Sequence, residues 1–380
     1  MDKYVLLEGA KKNFGDFLIV DRAKKLLRKY KPGIEFVELP RWKPIDSYLE
    51  EVNAAKAIIL CGGPAYNPKF YPGIYPLVKD LSSIRIPIIP FGLGWDAFPG
   101  DDVSCRYFTF TSSSLRLLQK IHSNCVFSSC RDYPTKRVLS RHGFKNVLMT
   151  GDPAWYDLKF IEKEFIPPYK INVIAFSLPQ KRIYYKQSLA VVKVLKKLFP
   201  KSKLICTFHR GIEADKYTSI REARGLQELK AALEELSLCD EIVNLAYNLS
   251  RGMEIYSNCD LHVGYRLHAH ILFLSHRKPS FLIEEDGRGR GFSETVGLYG
   301  IPASAHTTLG NFLDKGHLPG KLRGAFNRIG LVATSRRTVA DELQDFISEE
   351  LENGFLRFRG LGTVFKGYYR FMEQFLESLP

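Results

Sequence analysis

Residues 259–292 read in order as strand, tight junction, helix, strand and loop. Residues 261–265 are short, apolar and rich in strand formers, 269–273 continue a helical apolar pattern, and 279–283 are again a buried-strand run. Two buried strands joined through one helix make a βαβ crossover, which commits the chain to a parallel sheet with helices over its faces. The first turn of this unit carries Arg266, Leu267 and His268. Such a turn lies at the carboxyl end of a strand and at a helix amino terminus, where unpaired N–H groups and the helix dipole favour anions. Arginine adds a permanent charge on a planar donor fork, and histidine exchanges a proton near neutral pH. The pair suits chemistry on a small, multiply charged acid; the plainer alternative is ordinary polarity at a helix start.

The same alternation extends along the chain. Residues 4–7, 57–61, 86–91, 126–130 and 146–149 read as strands of a first domain, and 171–176, 203–209, 241–246 and 261–265 as strands of a second. Helices are predicted from Asn13-Phe14-Gly15-Asp16 to about residue 29 and around 187–199, 226–236 and 251–257. Two prolines interrupt the pattern within 161–170. The expected fold class is therefore α/β: two Rossmann-like doubly wound domains facing a cleft, with carboxy-terminal helices packing back. The expected boundaries are 1–160 for the first domain, 161–170 for a linker, 171–315 for the second domain and 316–380 for the helical extension. In the extension, 338–351 and 364–379 are amphipathic. Arg357, Arg359, Lys366 and Arg370 lie there among aromatics, a mixture that suits either packing or a membrane surface.

Several strand ends carry glycine or a charged residue. Gly62 and Gly63 follow one strand, and Gly92 and Gly94 another; glycine there permits positive φ and close approach by a ligand, and equally serves a tight turn. Neither loop completes a dinucleotide fingerprint or a P-loop. Arg131 ends a further strand beside a helix start, as Arg266 does. One arginine per domain could hold the two ends of a phosphorylated acid, or Arg131 could simply pair with Asp132. Asp16 is an N-cap acceptor or a substrate contact.

Composition narrows the partners. With 380 residues, 45% of them hydrophobic, the chain can bury two cores, and its formal charge of +14 asks for an anionic partner. The densest basic run, 24–31, alternates with apolar residues as a solvated helix face. No zinc-finger spacing or aromatic RNA-binding signature occurs, which disfavours nucleic acid and leaves phosphorylated substrates. Seven cysteines without a C-x-x-C pair fit reduced thiols in a cytoplasm. No apolar run approaches the roughly 20 residues of a membrane span, and the first residues do not read as a signal peptide. His262, His268 and His270 match no metal-ligand spacing, so neither metal nor cofactor is expected.

The string Asp260-x-x-x-Gly264-x-Arg266-Leu267-His268-Ala269, followed by an apolar helix, Lys278-Pro279, a buried strand and an acidic Gly-Phe loop, resembles the carboxy-terminal signature of the polysaccharide pyruvyl transferase family. Asn13-x-Gly15-Asp16 is similar to that family's first motif, and Arg131-Asp132 followed by Gly143 and Asp152-Pro153-Ala154 matches a further pattern in order and spacing. The resemblance covers most of 1–315. It implies transfer of an enolpyruvyl carbon from phosphoenolpyruvate to two hydroxyls of one sugar, in a polysaccharide or its lipid-linked precursor, with release of phosphate. It further implies a cytoplasmic enzyme, at the inner face of the membrane where the acceptor is lipid-linked, and is compatible with a homo-oligomer. On it, Arg131, Arg266 and the Leu267 N–H bind phosphoenolpyruvate and His268 is the general acid. Asp16, Glu285 and Asp286 are candidates for acceptor contact or base, and Gly62, Gly63, Gly92, Gly94, His209 and Arg288 are accessory. Two departures touch acceptor recognition: Leu178-Pro179 replaces a common arginine, for which Lys181 or Arg182 can substitute, and residues 283–290 alter the usual loop after the last strand. A nucleotide-sugar glycosyltransferase of the same two-domain architecture and an inert saccharide-binding relative are the alternatives.

Overall fold

The computed structural model describes residues 2–98, 100–315 and 332–380. Side-chain alternation of period two sorts the first strand onto both faces of a sheet: Tyr4 and Leu6 join one core, Val5 and Leu7 the other. This strand, β1 (Lys3–Glu8), pairs with β2 (Glu35–Pro40) on one side and β3 (Ala57–Cys61) on the other, and β3 pairs with β5 (Ile88–Phe91), all parallel. A bridge from Leu93 to Cys130 continues the layer into β7 (Ser128–Cys130) and β8 (Val147–Met149). β2 is absent from the sequence reading because it is an edge strand with a single buried position, Leu39, and with Glu35 and Glu38 in an otherwise apolar run.

Gly62, Gly63 and Gly92 all have positive φ. They kink β3 and β5 so that each resumes one step later as β4 (Pro64–Tyr66) and β6 (Gly94–Trp95). A side chain at Gly62 would lie 2.2 Å from an Ile19 methyl. These glycines therefore serve turn geometry and close packing, Gly62 against the first helix (Phe14–Tyr30) and Gly92 against the turn at 151–153.

The second domain is a six-stranded parallel sheet in the order β11-β10-β9-β12-β13-β14, comprising β9 (Val173–Ser177), β10 (Lys203–Phe208), β11 (Glu241–Asn244), β12 (Leu261–Gly264), β13 (Ser280–Glu284) and β14 (Ile301–Pro302). Strand order reverses between β9 and β12, and in the first domain between β1 and β3. In open α/β sheets ligands bind outside the carboxyl ends of strands at such switch points. Residues 284–292, expected as a loop, instead enter a helix (Gly287–Val296) capped by the Asp286 carboxylate on the Arg288 N–H. Glycine there escapes the helix periodicity because close approach dictates it: Gly287 lies against Gly100, and Gly291 against Asp132.

The helix Val339–Glu352 packs on the second domain beside helix Tyr185–Leu198, and the terminal helix Leu361–Glu377 returns to the first domain. Phe375 meets Phe91 at 5.3 Å and Tyr369 meets Tyr156 at 5.2 Å, while Arg277 of the second domain stands over Phe365. The aromatic face that also suited a membrane is thus mostly spent on packing: Phe358, Phe365, Tyr369, Met372 and Phe375 are buried. Among the described residues no helix is long and apolar enough to cross a membrane. The part of the extension at 316–331 lies outside the described residues.

Gly264 ends β12 at φ +147°, and a Cβ there would lie 2.4 Å from the Ser177 carbonyl oxygen and 2.7 Å from its nitrogen. Gly264→Ala should lower stability by on the order of 3 kcal/mol through combined strain and overpacking. A urea-unfolding midpoint within error of the unsubstituted protein would show that β9 and β12 have room to part.

Candidate active site

Between the two switch points lies a cavity of about 450 Å³. The first domain contributes Gly9, Lys11, Lys12, Asn13, Asp16, Arg41 and Pro64, and the second Gln180, Lys181, Arg210, Arg266, Glu285 and Arg288. Seven cationic side chains face two carboxylates. Burial first, and then the neighbouring Arg41 and Arg210, weaken the hold of Lys11 on its proton. A larger hollow of about 760 Å³, beyond the start of the Gly287 helix, has much of its charge already paired, Arg137 with Glu294 and Asp101 with His306.

Arg266 is the N-cap residue of the switch-point helix (Leu267–Ser275), and its backbone N–H donates to Ser177 Oγ at 3.1 Å. Ser177 Oγ also meets His262 Nε2 at 2.8 Å, and His262 Nδ1 and His270 Nδ1 both meet Ser280 Oγ at 2.7 Å. The histidines flanking the motif therefore serve a buried network that fixes the Arg266 backbone. The guanidinium spans the cleft: Nη2 donates to Asn13 Oδ1 at 3.1 Å, and Nη1 is 3.6 Å from Glu285 Oε2. Leu267 and His268 occupy the first helical turn, where N–H groups have no partner within the helix.

Glu285 and Asp286 separate cleanly. Asp286 is held by Arg288 through 2.9 and 2.7 Å bonds, with Lys181 at 4.0 Å; burial opposes its charge, but these cations win and keep it well below the ordinary range. Burial pushes Glu285 up, Arg266 and Lys181 pull it only part of the way back, and its Oε1 has no hydrogen-bond partner among the described residues. Asp16 lines the cavity from the first helix, but the cap position belongs to Asn13, whose side chain turns to Arg266 instead.

Three expectations change. Arg131 does not line the cavity: it is fully buried, with Nε on Asp132 at 3.1 Å and Nη2 on the Trp95 carbonyl at 3.3 Å, its guanidinium filling the space a side chain at Gly94 would need. The cations that the first domain presents are Lys11, Lys12 and Arg41, which follow β1 and β2. Nothing local marks Arg41, because the strand it follows was not predicted. His209 is also withdrawn, bonded through Nε2 to Tyr256 at 2.5 Å, and it is the next residue, Arg210, that reaches the cavity. Asp215 pairs with Lys12 at 2.8 Å. None of Gly62, Gly63, Gly92 and Gly94 lines the cavity.

His268 stands one layer behind the wall, 6% exposed at its side chain, with the edge bearing Nδ1 against Gly15. Its Nε2 lies 3.7 Å from Asp152 Oδ2.

Two Rossmann-like domains with a cation-lined cleft at both switch points define a two-domain α/β scaffold suited to an anionic ligand. The sequence profile of the polysaccharide pyruvyl transferase family matches residues 13–287, and the chain belongs to that family. No curated protein sequence matches it. Among solved structures it is similar to HepE of Anabaena in complex with UDP and glucose, at 11% identity over 100% of this chain and 99% of that one, with a TM-score of 0.48. It is also similar to the UDP-GlcNAc 2-epimerase of Methanocaldococcus jannaschii, at 10% identity over 74% and 84% of the two chains, with a TM-score of 0.44.

A carboxyl whose native pKa is raised binds its proton more tightly folded than unfolded, so stability is lost as pH climbs from its ordinary value near 4.5 through the native one. Glu285→Gln should match the unsubstituted protein in thermal midpoint at about pH 4 and exceed it by a few degrees at about pH 7. A Gln variant that melts lower at neutral pH would mean that pairing with Arg266 outweighs burial.

Proposed function

We propose that the protein is a phosphoenolpyruvate-dependent pyruvyl transferase that forms a cyclic pyruvate ketal on two hydroxyls of one sugar. The observation that carries this reading is the cavity, where an arginine fork at a helix start joins cations from both domains around one small volume. A carboxylate and a phosphate on a three-carbon frame need that much fixed positive charge.

Arg266 and the Leu267 N–H bind the donor, with Lys181, Arg288 and the first-domain cations Lys11, Lys12 and Arg41 taking the second anionic group. His268 protonates the methylene carbon, which leaves the adjacent carbon with oxocarbenium character. One sugar hydroxyl adds there, phosphate departs with the C–O electron pair, and the second hydroxyl closes the ketal. Two hydroxyl protons are lost; one replaces the proton given to the methyl group and the other leaves with phosphate. Glu285 is the base: it faces the cavity, has a free oxygen and holds a proton more readily than an ordinary carboxylate. Asp286, locked to Arg288, orients that cation.

Phosphoenolpyruvate should raise the thermal midpoint, since a ligand at 100 times its Kd adds about 2.7 kcal/mol to the native state. Phosphate release should require a saccharide acceptor. A shift with UDP-sugars and none with phosphoenolpyruvate would move the reading to a nucleotide-sugar glycosyltransferase. Arg266→Lys should resemble Arg266→Ala, with kcat/KM for the donor down on the order of 10²-fold, because an ammonium cannot reproduce a fork that spans Asn13 and the donor. Near-full activity of the Lys variant would remove the bidentate role.

A further inference from the structure

We propose that Asp152 is a positioning residue that holds His268 as the Nε2–H tautomer and so makes Nδ1 the nitrogen that delivers the proton; this rests on the reading of His268 as the acid. The two groups come from different domains, Asp152 from the turn after β8 and His268 from the switch-point helix. Their facing atoms, Oδ2 and Nε2, are 3.7 Å apart. Both are enclosed, and neither has a hydrogen-bond partner among the described residues. A buried carboxylate oxygen and a buried ring nitrogen each cost stability when unpaired, and an N–H between them satisfies both.

The geometry leaves little freedom. Asp152 Oδ1 accepts the Ala154 N–H at 2.9 Å, which orients the carboxylate and aims Oδ2 at the ring. Gly15 closes on the ring, since a Cβ there would fall 2.6 Å from Nδ1 and 2.7 Å from Cγ. With Nε2 enclosed, any proton that passes between ring and cavity leaves through Nδ1. Around the pair, burial holds the Cys61 thiol up and the His209 imidazole down, so both are neutral. Arg266 is a cation, and Asp16 follows Gly15 on the cavity side. Asp152 is thus the anion that an imidazolium at 268 meets through Nε2. When Nδ1–H passes to the donor's methylene carbon, the ring relaxes to neutral Nε2–H, still facing Asp152, which itself takes no proton. Because the pair crosses the cleft, the acid is complete only with the domains in contact.

The test begins with the unsubstituted full-length chain: 15N NMR of the His268 ring at neutral pH should report Nε2–H, and an Nδ1–H tautomer overturns the proposal without any need for turnover. Asp152→Asn keeps an oxygen for the Ala154 N–H but loses the charge. It should lower kcat on the order of 10²–10⁴-fold with KM for phosphoenolpyruvate within about threefold, and should shift the ring to Nδ1–H. A folded Asn variant within a few-fold of full kcat, beside an inactive His268→Gln, also overturns it. If His268→Gln is itself active, the reading of His268 as the acid has failed, and the tautomer measurement still decides the pair. If the Asn variant does not fold, the measurement on the unsubstituted chain decides alone.

Discussion

Gly15 has no side chain, and the His268 ring occupies the place one would take. That contact lets the start of the first helix settle on the start of the switch-point helix, so that the carboxyl ends of β1 and β12 open onto the same cavity. Neighbouring bonds hold the approach: the Phe14 N–H donates to the His209 carbonyl at 3.1 Å and the Tyr247 N–H to the Lys12 carbonyl at 2.9 Å, and Gly252 leaves room for the Phe14 ring. Arg266 reaches Asn13 only because the two helix starts touch, and burial then weakens its own proton affinity.

A second brace keeps the domains in that relation. Trp155, three residues beyond Asp152 and fully buried, meets Phe292 of the second domain and Phe365 and Tyr368 of the terminal helix at 5.0–5.7 Å. The turn that carries Asp152 is therefore gripped from both domains. Arg131 and Asp132 work in the same direction: the carboxylate caps a helix through the Thr135 N–H at 2.8 Å while Gly291 of the other domain packs against it. Family motifs that look like ligand contacts in the linear chain are here partly the parts that hold two sheets at a fixed spacing.

Seven cations and two carboxylates line the cavity; Arg288 is paired with Asp286 and Lys12 with Asp215, and the cations left over carry repulsion that folding alone does not reward. Part of the formal charge of +14 is thus local, concentrated where the strands end. Functional sites commonly trade stability for such preorganised charge. Burial leaves Glu285 reluctant to ionise although the cations around it pull the other way, and burial, then Arg41 and Arg210, leave Lys11 reluctant to stay charged.

The βαβ alternation, the parallel sheets and the placing of Arg266 at a strand end were all determined by the sequence alone, because periodicity and glycine placement are local properties of the chain. The weight given to Glu285 and Asp286 came instead from the resemblance to the family. Only the tertiary structure decided between those two carboxylates, since their difference lies in Arg288 bonding one and leaving the other facing the cavity. It also decided that Arg131 braces and Arg41 and Arg210 face the site, and that Asp152 meets His268. Each of those outcomes depends on which strand end faces which across the cleft, a distance of more than a hundred residues in the chain between Asp152 and His268. Local pattern carries no information about that pairing; the packing of Gly15 on the switch-point helix does.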